Sequence, residues 1–368
     1  MRLNLSIISA LTLLLFACRS SLFHHDFRPE KKVDIPGIYP HKSTDSISVV
    51  MFVHGMGRKD QNYPYYTINK MAKKSLGAGY KIEKCTDFYH DNEDIKPQLE
   101  KFVAESTNKE KKMIFYSLRY SNFSDTIKDS MKANESIIDR KFRRGLTARV
   151  AKDGFIDQFK DVMKVQETEV MKKLINYYDL VMTDAENNYF INSDSIKINL
   201  ITSSLGSAVT AAFLYDFYLN IAKASFNPQL KTNFDHKAFH FDKKTQRKKY
   251  FFTVYQLTNQ LILFDKSIRN WGNDKQFEEQ ELSPTDKNAM SSRFDLRIYS
   301  FRNPKDLLCF YVPPTFYQDL FKDYENVHEV INIHYKNMIG HNNIITAHIH
   351  PLNSKRIAKT LSEGVHRK

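Results

Sequence analysis

The stretch that decides the fold is Ile196–Phe213, which reads Ile-Lys-Ile-Asn-Leu-Ile-Thr-Ser-Ser-Leu-Gly-Ser-Ala-Val-Thr-Ala-Ala-Phe. Its first half alternates β-branched and polar residues and closes on Leu200 and Ile201, which predicts a buried strand. Its second half, from Ser207 onward, is small and apolar, which predicts a helix packed closely on a sheet. The stretch therefore predicts a strand that turns at once into a helix.

The turn between these two elements is Thr202-Ser203-Ser204-Leu205-Gly206, a G-x-S-x-G pattern whose first glycine is replaced by Thr202. Such a turn holds its middle residue in a strained conformation and needs small neighbours. Ser204 would stand at the tip with its hydroxyl exposed, and the N–H of Leu205 would face a developing oxyanion. The alternative is an ordinary helix N-cap, since serine and threonine favour that position.

Size and composition indicate a folded α/β protein. The chain has 368 residues, of which 42% are hydrophobic and 13% aromatic, enough to build a sizeable core. The formal charge is +13, from 55 basic and 42 acidic residues. The lysines are spread among acidic residues and no nucleic-acid-binding signature is present, so a solvated basic surface is favoured over nucleic-acid binding.

The N-terminus has the pattern of an exported protein. Met1-Arg2 leads into Leu3–Ala17, an apolar run of secretory length that is too short to span a bilayer stably. The run ends Leu15-Phe16-Ala17-Cys18, which resembles a bacterial lipobox. We therefore expect a lipoprotein signal peptide over residues 1–18 and a lipid on Cys18, the alternative being cleavage near Ala17. The expected location is the cell envelope, with a lipid as the membrane anchor.

The remaining cysteines and the histidines do not predict a metal site. Cys85 and Cys309 could pair in an oxidising envelope, but two buried thiols are as compatible with the sequence. No Cys/His cluster has zinc-ligand spacing, and His24-His25 stand together without further ligands. The sequence therefore predicts neither a metal nor another cofactor.

A second motif lies upstream of the Ser204 turn. Residues 19–46 carry scattered proline and charge and are interpreted as a linker. Ile47–Val53 is a continuous apolar run, typical of a strand buried on both faces of a parallel sheet. It leads into His54-Gly55-Met56-Gly57, where glycines let backbone N–H groups approach a substrate and Met56 would supply a second oxyanion donor. The alternative is a plain glycine turn after a strand.

Further helices and strands alternate along the chain. Helical spacing of apolar residues predicts a mostly helical insertion over about 125–188, interpreted as a cap over the site. The other predicted elements are strands at Lys112–Leu118, Tyr250–Gln256, Leu296–Phe301 and Val327–His334, and helices at Tyr66–Leu76 and Ser354–Leu361.

With Ser, Asp and His in this chain order, the sequence resembles the α/β-hydrolase superfamily over about residues 47–364. It is similar to bacterial envelope hydrolases that share the HGxG strand, an Asn-Gln-Leu stretch, an acid turn and a late Ala-His. Here these are His54–Gly57, Asn259-Gln260-Leu261, Asn303–Leu308 and Ala347-His348. The resemblance implies a mostly parallel sheet flanked by helices, with the helical insertion before the nucleophile strand.

The resemblance also implies roles for three distant residues. Ser204 is the nucleophile, His348 takes and returns its proton, and Asp306 orients the imidazole. Other residues compete for these roles: Asp265 and Asp295 for the acid, and His341 and His350 for the base. Gly206, together with His54, Gly55 and Gly57, supports the two oxyanion turns.

The resulting expectation is a serine hydrolase that cleaves a carboxylic ester through an acyl-enzyme. The ester could belong to a lipid, an acylated sugar or a small molecule, and the sequence does not predict an oligomeric state. The alternative is a catalytically inactive lipoprotein that binds a ligand at the envelope, suggested by Thr202 and the charged insertion, since a fold does not fix its function.

Overall fold

A nine-stranded sheet forms the centre of the part of the chain that the structure describes. The computed structural model describes residues 27–29, 31, 33–38, 47–53, 63–77, 79–91, 98–119, 168–226, 239, 247–259, 283–303, 309, 311–321, 326–335 and 355–365. The strands are β1 (Phe27–Pro29), β2 (Ile47–Val53), β3 (Lys81–Asp91), β4 (Gln98–Glu105), β5 (Lys112–Arg119), β6 (Ser195–Ser203), β7 (Lys249–Leu257), β8 (Phe294–Arg302) and β9 (Ile331–Tyr335).

The sheet is mostly parallel, as expected. Its spatial order is β1-β9-β8-β7-β6-β2-β5-β4-β3. Six neighbouring strands, from β9 to β5 in that order, run parallel. β1 pairs antiparallel at one edge, and β4 and β3 pair antiparallel at the other. The architecture is α/β and compatible with an α/β-hydrolase-like fold without being specific to it.

Helices cover both faces of the sheet, as burial of a parallel sheet requires. They are α1 (Tyr63–Leu76), α2 (Thr168–Tyr189), α3 (Gly206–Ser225), α4 (Pro284–Ser291), α5 (Phe316–Leu320) and α6 (Lys355–Glu363). The side chains of α2, α3 and α5 belong to the core on one face, and those of α1 and α6 to the core on the other. None of these described helices has both the length and the hydropathy that crossing a bilayer needs.

The helix α3 is buried all round, which explains its small, apolar sequence. Sixteen of its residues are buried, from Gly206 to Ala222. Phe213 lies at its centre, stacked on Tyr178 of α2 with ring centroids 4.3 Å apart and near Phe217 at 5.3 Å. These contacts fix the direction in which α3 leaves the end of β6.

The described part of the expected cap is a core helix. Leu174 and Tyr178 of α2 are each 1% exposed and pack in the same core as β6 and α3. This part of the predicted insertion is helical, over Thr168–Tyr189, but it packs on the sheet. Residues 120–167 lie outside the described residues, and a cap there remains a prediction.

Part of the segment expected to be a linker packs on the domain. β1 pairs with β9, and Ile35 and Ile38 are 0% and 2% exposed. The N–H of Ile38 donates to the carbonyl of Leu361 at 2.7 Å. Gly37 lies so close to α6 that a Cβ there would stand 2.6 Å from the carbonyl carbon of Glu363. Glycine is needed at this position because of that close approach.

Strands β3 and β4 were not predicted, because charged residues occupy buried positions on β4. Glu100 lies 3.3 Å from the Arg119 guanidinium, and Lys101 lies 2.6 Å from the carboxylate of Asp184 on α2. Burial alone lowers the pKa of Lys101, but its hydrogen bonds to Asp184 and Tyr189 leave that pKa above its ordinary value. These ion pairs join the antiparallel edge of the sheet to its neighbours.

Candidate functional site

The backbone at Ser204 is strained in the way that the strand–turn–helix motif predicts. β6 ends at Ser203 and α3 begins at Gly206, with only two residues between them. Ser204 has φ +55°, in the left-handed region that residues other than glycine rarely adopt. Such a conformation costs about 1–3 kcal/mol and persists only where the surrounding structure holds it. The turn is therefore fixed by its neighbours rather than by its own preference.

Backbone hydrogen bonds hold both sides of this turn. The N–H of Ser204 donates to the carbonyl of Leu257 at 3.0 Å, and the Ser204 carbonyl accepts from Ser207 at 3.1 Å. Leu205 occupies the N-cap position of α3, where helix N–H groups have no acceptor within the helix. Ser204 is 4% exposed, less than the exposed tip that the sequence predicts. A reactant would have to be small or narrow to reach its hydroxyl.

Thr202, which replaces the first glycine of the pattern, fits because its side chain bonds to the start of α3. Its Oγ1 lies 3.0 Å from the Oγ of Ser207, and both residues are 0% exposed. A glycine would leave the buried Ser207 hydroxyl without this contact. The departure from the motif is thus compensated by a hydroxyl pair that spans the turn.

A row of buried polar residues runs across four parallel strands near the carboxyl edge of the sheet. Thr202, Gln256, Ser300 and Asn332 are partners in register on β6, β7, β8 and β9, and each is 0% exposed. Gln256 donates to the hydroxyl of Tyr317 at 2.7 Å, and Asn332 donates to the carbonyl of Val312 at 2.9 Å. The row was missed as a set, because it depends on the register between four strands and Asn332 is the second residue of its strand.

A second strained residue lies beside Ser204. Thr258, directly after β7, has φ +53° and is 0% exposed. Its hydroxyl donates to the carbonyl of Leu257 at 2.6 Å, and its N–H donates to the carbonyl of Phe301 at 3.2 Å. The following residue, Asn259, donates to the hydroxyl of Ser300 at 2.8 Å. Asn259 of the predicted Asn-Gln-Leu stretch is therefore part of this polar edge.

The Ser204 turn lies at the point where the order of the strands reverses. The chain first adds β5 on one side of β2. It then adds β6 on the other side of β2, and β7 follows beyond β6. In open α/β sheets, ligands bind outside the carboxyl ends of the strands at such a switch point. Val53, the last residue of β2, is in register with Thr202. His54, Gly55, Met56 and Gly57 follow Val53 and lie outside the described residues.

The other predicted catalytic residues also lie outside the described residues: Asp306, His348, Asp265, His341 and His350. The chain leading to Asp306 is described as far as Asn303, which is 2% exposed just after β8. Because β8 runs parallel to β7 and β6, it ends at the same edge of the sheet as β6.

Asp295, one of the two residues that compete with Asp306 for the role of the acid, lies at the edge of the sheet opposite to Ser204. It is the second residue of β8, about 23 Å along the strand from Arg302 at the carboxyl end. Its carboxylate pairs with Arg297 at 3.1 Å and with His328 at 3.5 Å. Asp295 also lines an open cleft of about 350 Å³ at the amino edge, together with Lys197 and Asn199. Neither Asp295 nor this cleft is near Ser204.

Two further expectations concern metals and cysteines. In the described ranges, no group of three or more His, Cys, Asp or Glu residues could hold a metal ion. Cys85 on β3 and Cys309 beyond β8 are not joined to each other by a disulfide. Cys309 is buried, and its thiol lies 3.8 Å from the carbonyl of Phe301. Cys18 lies outside the described residues.

Comparisons with known proteins do not assign the chain to a family. Neither a scan against protein-family profiles nor a search of curated protein sequences gives a match.

Proposed function

We propose that this protein is a serine hydrolase that cleaves a carboxylic ester through an acyl-enzyme. The observation that carries the proposal is the left-handed backbone of Ser204, φ +55°, between a parallel strand and the helix that follows it. Backbone strain of this kind concentrates at functional sites. Its position at the switch point of the sheet, beside the strand that leads into His54–Gly57, is a second support.

In the proposed mechanism Ser204 attacks the ester carbonyl. His348 takes the hydroxyl proton as general base and returns it to the leaving alcohol, and Asp306 orients the imidazole. The N–H groups of Met56 and Leu205 bind the oxyanion of the tetrahedral intermediate. Water then attacks the acyl group on Ser204 by the same route, and the acid and the free serine are released. The proposal uses no metal and no other cofactor.

The decisive experiment is covalent labelling of the purified protein with an organophosphate. Because Ser204 is 4% exposed, the reagent should be small, such as a diethyl phosphate ester, and be compared with a bulky fluorophosphonate. We expect one phosphoryl group per chain, mapped to Ser204 by peptide mass spectrometry, and faster labelling by the small reagent. Ser203→Ala is the matched control, because Ser203 is the neighbouring serine on the strand.

Two outcomes of the labelling experiment would count against the proposed function. An unlabelled wild type, or equal labelling of wild type and Ser204→Ala, would contradict the proposal. A protein that is not labelled and has no esterase activity, yet binds a ligand saturably, would instead be the inactive envelope binding protein that the sequence left as the alternative.

We also propose that a lipid on Cys18 holds the protein at the cell envelope. The support is the Leu15-Phe16-Ala17-Cys18 pattern after an apolar run of secretory length. In a bacterial host, Cys18→Ala should move the protein from the membrane fraction to the soluble fraction, and the wild type should incorporate labelled palmitate. A wild type that takes up no palmitate would contradict this proposal.

A further inference from the structure

We propose that Thr258 is a positioning residue that holds the Ser204 turn in its reactive conformation. The inference rests on the proposed function, because it concerns the orientation of the same nucleophile. Ser203 and Leu257 are partners in register on β6 and β7, so Ser204 and Thr258 are the equivalent next residues on adjacent strands. Both have left-handed backbones, with φ +55° and φ +53°. The two strands therefore leave the sheet through neighbouring strained turns.

One carbonyl oxygen joins the two turns. The carbonyl of Leu257 accepts the N–H of Ser204 at 3.0 Å and the hydroxyl of Thr258 at 2.6 Å. A carbonyl oxygen has two lone pairs, so both of its acceptor positions are used. The hydroxyl of Thr258 thus fixes the atom that receives the last hydrogen bond of β6 before the chain turns at Ser204.

A third hydroxyl extends this connection. The Oγ of Ser203 lies 3.5 Å from the Oγ1 of Thr258. Because the single hydroxyl proton of Thr258 is directed to Leu257, Ser203 is the donor in this long contact. The hydroxyl of Thr258 therefore contacts the residue before Ser204 as well as the carbonyl that binds Ser204.

The identity of the residue supports a role beyond turn formation. A β-branched residue at positive φ is an outlier, and glycine would adopt this backbone without strain. The N–H of Thr258 bonds to the carbonyl of Phe301 on β8, so the neighbouring strand holds the backbone of this residue. Thr258 is also 0% exposed. Glycine would provide the turn but not the hydroxyl that bonds to Leu257. The structure thus assigns to the hydroxyl the reason that this position holds threonine and not glycine.

The test compares variants by kcat, KM and the rate of organophosphate labelling. Thr258→Val keeps the shape and removes the hydroxyl. We expect its kcat and labelling rate to fall by about tenfold or more with KM within about twofold, because small displacements of a reacting group are costly. Thr258→Ser restores the hydroxyl and should restore both rates to within about threefold of wild type.

Thr360→Val is the matched control. Thr360 is 2% exposed on α6, and the next residue, Leu361, accepts the N–H of Ile38, which lines the cleft at the amino edge of the sheet. The same substitution there removes a buried threonine hydroxyl and should leave the labelling rate of the folded protein unchanged. If Thr258→Val does not fold, Thr258→Gly replaces it, since glycine relieves the strain and also lacks the hydroxyl.

The outcomes separate this inference from the proposed function. Labelling of the wild type at Ser204 at a rate that Thr258→Val and Thr258→Gly both retain would overturn the positioning role alone. A wild type that is not labelled would overturn the proposed function. In that case a crystal structure of the Thr258 variant decides the positioning role: φ of Ser204 should leave the left-handed region, and an unchanged φ would overturn it.

Discussion

Replacing Ser204 by glycine should abolish ester hydrolysis and at the same time stabilise the fold. We expect turnover to fall by at least about 10³-fold, as removal of a nucleophile does in serine hydrolases. We expect the free energy of unfolding to rise by about 1 kcal/mol. The reason is the φ of +55° at Ser204, which glycine adopts without strain, offset in part by the greater entropy of a glycine in the unfolded chain.

The measurements are hydrolysis of p-nitrophenyl acetate and chemical denaturation of the two proteins. Ser204→Ala is the matched control, because alanine also lacks the hydroxyl but keeps the strain at positive φ. It should lose the same activity without the gain in stability. A Ser204→Gly variant that is less stable than Ser204→Ala would show that the turn is not strained, and one that keeps wild-type turnover would exclude Ser204 as nucleophile.

The largest loss of stability should follow from replacing Phe213 by alanine. Phe213 is 0% exposed at the centre of α3, and its ring contacts those of Tyr178, Phe217 and Phe252 at centroid distances of 4.3, 5.3 and 6.3 Å. Removing a buried phenylalanine ring leaves a cavity and costs about 3–5 kcal/mol. Because α3 begins at the Ser204 turn, the loss affects the helix that follows the proposed nucleophile.

Chemical denaturation measures this effect, with Tyr66→Ala as the control. Tyr66 lies on α1 and is 61% exposed, so its replacement should change the free energy of unfolding by no more than about 0.5 kcal/mol. Equal losses in the two variants would contradict the packing described for α3.

The parallel strands were predictable because each carries its own signal. Ile47–Val53 is apolar except for Ser48, and the strand has those bounds. The β6–α3 unit was predictable because the sequence changes from alternating to small and apolar within a few residues. β1 was not predictable, since these three residues in a Pro-rich segment form a strand only by pairing with β9. β4 was missed because Glu100 and Lys101 are buried charges whose partners are distant in sequence.

The candidate site was predictable only where the signal is local. The Ser204 motif predicts its own turn, and the strained φ is observed. The position of Thr258 next to Ser204 depends on the register between β6 and β7, which no single stretch of sequence contains. The choice between Asp295 and Asp306 likewise depends on where β8 begins and ends, because Asp295 is near its start and Asp306 follows its end in the sequence. Asp295 is excluded by that topology, and Asp306 remains a prediction.

The pairing of β1 with β9 limits how far the folded domain could stand from a membrane to which a lipid on Cys18 would hold it. A linker over residues 19–46 would reach roughly 95 Å when fully extended. Because the chain joins the sheet at Phe27, only residues 19–26 separate it from Cys18, and these can span at most about 28 Å. With a lipid on Cys18, the β1 edge would be kept near the headgroups, so the proposed hydrolase would work on substrates at or close to the bilayer surface.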